Sequence, residues 1–176
     1  MKKLLSALGL IIALGSTPTQ ARDPSSKFFI DSYILTGNST TNDVPAHIKM
    51  GFTISEEITK GSSWGLDHST LFEGKNYETS LGFRHINRSD NHSHGFGFGI
   101  SRVRFDEPIY LYENDGTEKR TDKENVLYFE LNLSRKLINN LNTRVNYQRN
   151  FARDEILRAN YPKDRLSIGL EYKIEF

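Results

Sequence analysis

Apolar and polar side chains alternate along the last stretch of the chain, from Asp164 to Phe176. Every second residue from Leu166 to Phe176 is apolar or aromatic, and the residues between them are polar or glycine. This two-residue period predicts a β-strand whose two faces meet different surroundings. The period alone leaves open whether the apolar face meets a protein core or lipid.

The same alternation recurs along most of the chain, between segments rich in turn residues, with no convincing helical period. Eight strands are predicted, at Lys27 to Thr36, His47 to Ile58, Ser63 to Glu73, Asn76 to Asn87, His94 to Phe105, Asn125 to Leu137, Leu141 to Ala152 and Asp164 to Phe176. Most of their connections alternate between long polar segments and short turns, which is typical of outer-membrane barrels. The tight turn from Glu73 to Asn76, on the rim of the long connections, is the exception. The predicted fold class is an all-β, eight-stranded, antiparallel up-and-down transmembrane β-barrel.

Two hairpins test the register of this pattern. A two-residue turn at Gly74 and Lys75, with glycine first as in a type II′ turn, sets Leu66 against Phe83. A three-residue turn at 138–140 sets Leu133 against Val145, whereas a two-residue turn would set Leu133 against a polar residue. Both choices keep the apolar residues on one face.

The amino terminus has the layout of a secretory signal peptide. Lys2 and Lys3 precede an apolar stretch from Leu4 to Leu14, and small residues precede a plausible cleavage site after Ala21. A retained membrane anchor is the alternative, but the apolar run is shorter than the roughly 20 residues of a spanning helix. We therefore expect a signal peptide over 1–21 and a single barrel domain over 22–176.

Composition narrows the possible functions. The chain has 176 residues, no cysteine, and a formal net charge of +1 from 23 basic and 22 acidic residues. The lack of cysteine excludes disulfide scaffolds and thiolate metal sites, and the balanced charge gives no reason to expect a nucleic-acid partner. We expect no cofactor and no metal, because His92 and His94 lie in a turn with no evident third ligand.

The pattern of the whole mature chain resembles the small outer-membrane barrels of the OmpA and OmpX type. The resemblance implies a location in the outer membrane of a Gram-negative bacterium, with membrane lipid and lipopolysaccharide as surroundings. In those families a last strand ending in phenylalanine is similar to the signal read by the barrel-assembly machinery, which would give that role to Phe176 and Tyr172. A secreted lipocalin-like binding barrel, with its apolar face lining a ligand cavity, is the structural alternative.

A small transmembrane barrel has an interior just filled by side chains, so its buried charges need partners. The predicted register sets Asp67 diagonal to Arg84 and Glu130 opposite Gln148. These residues, with others on the same face, form a predicted polar plug that does not conduct. Its members are Asp67, Glu78, Arg84, Glu130, Arg144, Gln148, Glu171 and Lys173.

Two polar residues, His68 and Thr70, fall on the face predicted to meet lipid, where polar groups are costly. They resemble the His-x-Ser arrangement of outer-membrane lipid A 3-O-deacylases, in which histidine activates serine toward an acyl ester. Thr70 stands where that family has serine, and Leu71 where it has asparagine. An acyl hydrolase is therefore the alternative function, and a subunit contact or strand irregularity explains the same residues.

The segment from Asp106 to Glu124 is predicted to be a projecting hairpin that contacts a surface partner. Tyr110 and Tyr112 lie on one face of an extended run, and Asn114 and Asp115 are turn residues. Seven acidic and three basic side chains make the segment acidic, which suits a basic partner or divalent cations bridging to lipopolysaccharide. We expect the function to lie in such surface loops, in envelope stability or surface interaction.

Overall fold

The computed structural model describes residues 27–39, 46–112, 116–158 and 161–176. The expected signal peptide lies outside these residues. The strands are β1 Phe28–Ser39, β2 His47–Thr59, β3 Ser62–Glu73, β4 Asn76–Arg88, β5 His92–Tyr112, β6 Glu118–Ile138, β7 Leu141–Phe151 and β8 Asp164–Glu175, and one short helix, α1, spans Asp154–Arg158. Each predicted strand coincides with one of these strands. The largest differences are in β5 and β6, which run on as a long ribbon.

The eight strands form one closed barrel in the order of the sequence, each antiparallel to both neighbours. The ring closes between β1 and β8, where Ile34 lies opposite Leu170. This confirms the predicted fold class. Among the described residues, no helix is long and apolar enough to cross a membrane.

The stagger of the strands determines the width of the barrel. A row of paired residues that starts at Asn125 passes once around the ring and returns to β6 at Arg135, ten residues further along. For eight strands, this stagger gives a tilt of about 40° and a backbone radius of about 8 Å. Such a barrel has room for side chains in its interior and little else.

The apolar residues of the alternating pattern point outward. Outward apolar residues occur at every second position of β6 from Leu127 to Leu133, where Phe129 is half-exposed and the others are exposed, and all those of β8 from Leu166 to Ile174 are exposed. Along a tilted strand, the ten residues from Leu166 to Phe176 span about 25 Å of height, the thickness of the apolar band on transmembrane barrels. The lipocalin alternative required this face to line a cavity, and the structure argues against it.

The two tested hairpins have the predicted register. Leu66 pairs with Phe83, and Gly74 has a positive φ of 60°, as the first position of a type II′ turn requires. Leu133 pairs with Val145 as predicted. In this second hairpin, however, Ile138 pairs with Leu141 across a two-residue turn, and an irregularity between Lys136 and Ile138 takes up the extra residue.

The connection between β7 and β8 is not the purely polar segment that the sequence suggested. It contains α1, and Ile156 and Tyr161 are almost fully buried. They pack in an apolar cluster at the end of the barrel that carries the long connections, hereafter the loop end. This cluster, the apolar cap, comprises Val103, Phe105, Leu111, Val126, Ile156 and Tyr161. The opposite end, where β1 begins and β8 ends, is the turn end.

Candidate functional site

Arg84 lies at the centre of the barrel interior and is almost completely buried. Its Nη1 lies 2.8 Å from Oδ1 of Asp67, and its Nε donates a 2.9 Å hydrogen bond to Oε1 of Glu130. Asp67 also accepts hydrogen bonds from Thr53, at 2.7 Å, and from Tyr33, at 3.0 Å. The guanidinium therefore joins two carboxylates from different walls of the barrel.

Lys49 extends this central network toward β7. Its ammonium donates to Oε2 of Glu130 at 3.0 Å and to the side-chain oxygen of Gln148 at 2.9 Å. Glu130 is thus shared between Arg84 and Lys49, which lie on β4 and β2. The predicted pairing of Glu130 with Gln148 across neighbouring strands is present in the register.

A second network, centred on Arg165, lies near the loop end. Its guanidinium lies 2.9 Å from a carboxylate oxygen of Glu73 and 2.8 Å from one of Glu78. Tyr161, from the β7–β8 connection, donates a 2.9 Å hydrogen bond to Glu78. Burial, followed by the charge of Glu78, raises the pKa of the Tyr161 hydroxyl well above its usual value, so this group remains a donor.

A third network lies near the turn end. Glu171 accepts a 2.8 Å hydrogen bond from Ser134 and lies 3.4 Å from Nη1 of Arg144. Arg88 pairs with Asp31 and donates a 3.0 Å hydrogen bond to Ser55. Lys173, which was assigned to the plug, is half-buried and lies 5.1 Å above the ring of Phe29.

The structure therefore places seven of the eight predicted plug residues in buried ion-pair or hydrogen-bond networks, and Lys173 at their edge. Sequence reasoning did not assign five charged members to the plug, namely Asp31, Lys49, Glu73, Arg88 and Arg165. All five occupy alternate positions of their strands that face the interior. The alternation of the sequence could therefore have assigned them to the plug. Tyr33 and Tyr128 are also buried in the interior.

Gly99 on β5 and Gly82 on β4 make room for the side chain of Tyr128. A Cβ on Gly99 would lie 2.3 Å from the carbonyl oxygen of Leu81 and 2.8 Å from the hydroxyl of Tyr128. A Cβ on Gly82, across the pair of strands, would lie 2.3 Å from the same hydroxyl. The backbone and Tyr128 approach too closely for a side chain at either position.

The buried charges of the interior are paired. Among the described residues, six acids and five bases are buried there, namely Asp31, Asp67, Glu73, Glu78, Glu130 and Glu171, with Lys49, Arg84, Arg88, Arg144 and Arg165. Each of these acids lies within ion-pair distance of at least one base. Paired side chains thus occupy the narrow interior of this part of the chain.

The ribbon formed by the ends of β5 and β6 projects beyond the barrel wall. β4 stops pairing with β5 at Arg104, and β7 stops pairing with β6 at Leu127. Pairing between β5 and β6 resumes after an irregularity and continues to Tyr112 opposite Glu118. Tyr112 is eight residues beyond Arg104, so the ribbon is about 25 Å long.

The two faces of this ribbon differ. Tyr110 and Tyr112 are 52% and 60% exposed, on the face that turns away from the cap. Leu111, which points the other way, belongs to the apolar cap, and Ile109 packs against that cap. Pro108 lies in the irregular stretch between Arg104 and Ile109, where its lack of an N–H breaks no ladder hydrogen bond. Asn114 and Asp115, the predicted turn residues, lie outside the described residues.

His68 and Thr70 lie on the outward face of β3, half-exposed. The His68 ring centroid is 5.7 Å from that of Phe52, and Thr70 pairs with Thr79. The nearest acids along the chain, Asp67 and Glu73, are buried inward and bound to bases. In the described part of the chain, no carboxylate is hydrogen-bonded to His68, so the geometry shows a base and a hydroxyl without an acid to orient the base.

The histidines of the β4–β5 turn have separate surroundings. Nδ1 of His92 lies 2.9 Å from the hydroxyl of Ser89, within the turn. His94 is exposed on the outward face, opposite Leu133. In the described part of the chain, no three histidine, cysteine or acidic residues come together as a metal site would require.

Comparison with solved structures identifies the architecture. The N-terminal β-barrel domain of Pseudomonas aeruginosa OprF is 12% identical, with a TM-score of 0.50, over 85% of this chain and 97% of that domain. The Yersinia pestis outer membrane protein Ail, determined in a phospholipid bilayer nanodisc, is 10% identical, with a TM-score of 0.51, over 85% of this chain and all of that one. The fold is that of a small outer-membrane β-barrel of the OmpA and OmpX type.

At these identities the likeness of the barrel to its structural neighbours concerns the fold alone. No protein-family model and no curated protein sequence matches the chain. The function of this barrel therefore has to be argued from its own residues.

The seam of the barrel between β1 and β8 includes a pair of backbone hydrogen bonds between Phe28 and Phe176. The backbone N–H of Phe176 donates a 2.9 Å hydrogen bond to the carbonyl oxygen of Phe28, and the N–H of Phe28 donates one of 3.3 Å in return. The Phe176 side chain is 70% exposed and Tyr172 also faces outward. Both candidate assembly residues thus lie on the outer surface of β8 and its end.

We expect the purified barrel to show no stepwise conductance in planar lipid bilayers. In the described part of the chain, ion pairs occupy the barrel interior and the apolar cap covers its loop end. Ions would therefore have to break buried pairs to cross the barrel. Current recording across a bilayer, with a sixteen-stranded porin as the positive control, checks this. Regular steps of porin size would contradict the closed interior.

Proposed function

We propose that this protein is an integral protein of the outer membrane, exported by its amino-terminal signal peptide, which contacts a partner at the cell surface through the ribbon of β5 and β6. The observation that carries the proposal is the pair of exposed tyrosines, Tyr110 and Tyr112, on a ribbon that continues beyond the end of its pairing with β4 and β7. Membrane lipid and lipopolysaccharide surround the barrel in this proposal.

Large aromatic side chains exposed to water are a recurrent feature of binding surfaces, where they contribute much of the affinity. The ribbon is also ordered before it binds. Its strands continue from the barrel, and its inner face packs on the apolar cap through Ile109 and Leu111. A partner would therefore lose little free energy in ordering the ribbon.

The surroundings of the tyrosines indicate the chemistry of the partner. Arg120 lies opposite Tyr110, and Glu118 lies opposite Tyr112, so both charges share the aromatic face. Beyond Arg104 and Leu127 the edges of the ribbon have no neighbouring strand. A protein surface with apolar pockets and mixed charges matches this face better than a uniformly charged polymer.

We expect replacement of Tyr110 and Tyr112 by serine to abolish most of the adhesion of cells that display the protein. Removing two aromatic anchors should lower the affinity by about tenfold or more. The matched control is the double variant Lys119→Ser and Lys123→Ser, which alters the same ribbon outside its tyrosines and should keep adhesion.

A deletion of Ile109 to Thr121 tests the ribbon as a whole. Heat-modifiable gel mobility should show that the barrel still folds, and surface adhesion and resistance to detergent are then measured. Loss of detergent resistance alone would indicate a role in envelope stability through bridging cations. Unchanged adhesion and unchanged resistance would contradict the proposal.

The acyl-hydrolase alternative lacks support in the geometry, because none of the described carboxylates is hydrogen-bonded to His68. Its test remains simple. Lipid A isolated from cells with and without the protein should have the same mass spectrum.

A further inference from the structure

The outward wall formed by β1, β2, β3 and β8 contains a groove of about 560 Å³. The small side chain of Ser32 lies within it, between bulky neighbours, and Gly51 lines it only through its backbone, because a Cβ there would point inward at Tyr33 and Ser69. The apolar side chains that line it are Ile34, Met50, Phe52, Phe72, Leu170 and Tyr172. An outward wall of a barrel is convex, and the small side chain of Ser32 leaves a recess in it.

Three polar side chains, Ser32, His68 and Thr70, also line this groove. Within the described residues, no side-chain hydrogen bond involves any of them. His68 lies four residues from Trp64 and four from Phe72, midway through the outward apolar stretch of β3. Polar groups at this depth are costly when they meet hydrocarbon, so the groove is built for an occupant that can form hydrogen bonds.

We propose that the groove is the contact surface between two copies of this chain in the membrane. Acyl chains at mid-membrane depth have no groups that form hydrogen bonds. A second copy inserted in the same orientation is related to the first by a two-fold axis along the membrane normal. It therefore presents its own Ser32, His68 and Thr70 at the same depth.

The polar groups of the groove on one copy can form hydrogen bonds with the same groups on a second copy. A hydroxyl both donates and accepts hydrogen bonds, and a neutral imidazole donates through one nitrogen and accepts through the other. Two copies can therefore pair these groups without burying a charge. An unrelated membrane protein would need matching groups at a matching depth.

Cysteine cross-linking tests the contact cleanly, because the native chain has no cysteine. Met50→Cys places a thiol in the groove, and Leu131→Cys, on the opposite wall, is the matched control. Both positions are exposed on the outward face, so both variants should fold. Both variants are oxidised in dilauroyl phosphatidylcholine vesicles. At every lipid-to-protein ratio, the disulfide-linked fraction of Met50→Cys should be several-fold larger than that of Leu131→Cys. Equal cross-linking from both walls would overturn the proposal.

The role of the polar groups is tested in the Met50→Cys background. His68→Leu should lower the cross-linked fraction about threefold or more, because membrane hydrogen bonds have modest strength. Heat-modifiable mobility confirms that the variant is folded. An unchanged cross-linked fraction would overturn the assignment of these groups to the contact.

Cross-linking of the Met50→Cys variant in the membranes of living cells distinguishes a second copy of the chain from the other possible occupants of the groove. A product of twice the mass of the chain supports the second copy. A product with the mass of another protein overturns it, and so does a lipid A acyl loss that depends on both His68 and Thr70.

Discussion

Removal of Phe176, or its replacement by aspartate, is expected to leave the mature chain unfolded in the periplasm. The residue has two roles in the structure. Its backbone forms the last hydrogen bonds of the seam with Phe28, and its side chain presents an exposed aromatic group at the end of β8. We propose that the barrel-assembly machinery reads this side chain together with Tyr172.

Comparison of cells with purified protein distinguishes recognition from stability. Losing the terminal pair of backbone hydrogen bonds should lower the free energy of unfolding by only about 1–2 kcal/mol. The truncated chain should therefore still fold into lipid vesicles while failing to assemble in cells. Phe151→Ser, at the loop end of β7, is the control and should assemble normally. Normal insertion of the truncated chain in cells would contradict the assignment of an assembly signal to Phe176.

Replacement of Arg84 by methionine is expected to lower the free energy of unfolding by about 3–5 kcal/mol, because it leaves buried carboxylates without their partner. Asp67 would lose its ion pair, and Glu130 would keep only Lys49. Arg84 is buried at 1% exposure, so water cannot replace the lost contacts. We expect this to be among the most destabilising single substitutions in the barrel.

Urea titration of the folded fraction in lipid vesicles, read by gel mobility, measures the Arg84 effect. The control is Arg104→Met, because Arg104 is half-exposed and its pair with Asp122 is 4.0 Å long. That variant should lose about 0.5 kcal/mol or less. If Arg84→Met does not fold at all, the milder Glu130→Gln should show a smaller loss in the same direction. Equal stability of the Arg84 and Arg104 variants would contradict the central role of the network.

Neighbouring strands were predictable from the sequence because their pairing depends on local information. Turn chemistry at Gly74 and the need to keep apolar residues on one face determine the register of each hairpin. For this reason the predicted pairs of Leu66 with Phe83 and of Leu133 with Val145 agree with the structure. The outward faces follow from the same alternation.

Contacts across the interior were not predictable in the same way. Lys49 reaches Glu130 from β2 to β6, and Glu78 reaches Arg165 from β4 to β8. Which side chains meet depends on the stagger that closes the ring, and no single hairpin contains that information. The sequence therefore indicates which residues point inward but leaves their partners open.

The β7–β8 connection was misread because its polar composition hides three apolar side chains. Ile156, Leu157 and Tyr161 are spaced so that one helical turn and the following chain bring them onto the apolar cap. A single turn of helix is too short to produce a convincing helical period. Its burial depends on β5 and β6, which are far away in the sequence.

The continuity of the projecting ribbon with the barrel has a mechanical consequence. A partner that pulls on the ribbon along its strands loads β5 and β6 in the same direction, so the hydrogen bonds that join them to β4 and β7, which lie perpendicular to the strands, carry the force in shear. The load then passes into the ring of eight strands, which has no free edge at which unfolding can begin. Because Leu111 packs in the apolar cap, sideways force is also carried by the barrel. In the proposed function, the ribbon would therefore connect the partner to the barrel as a stiff tether.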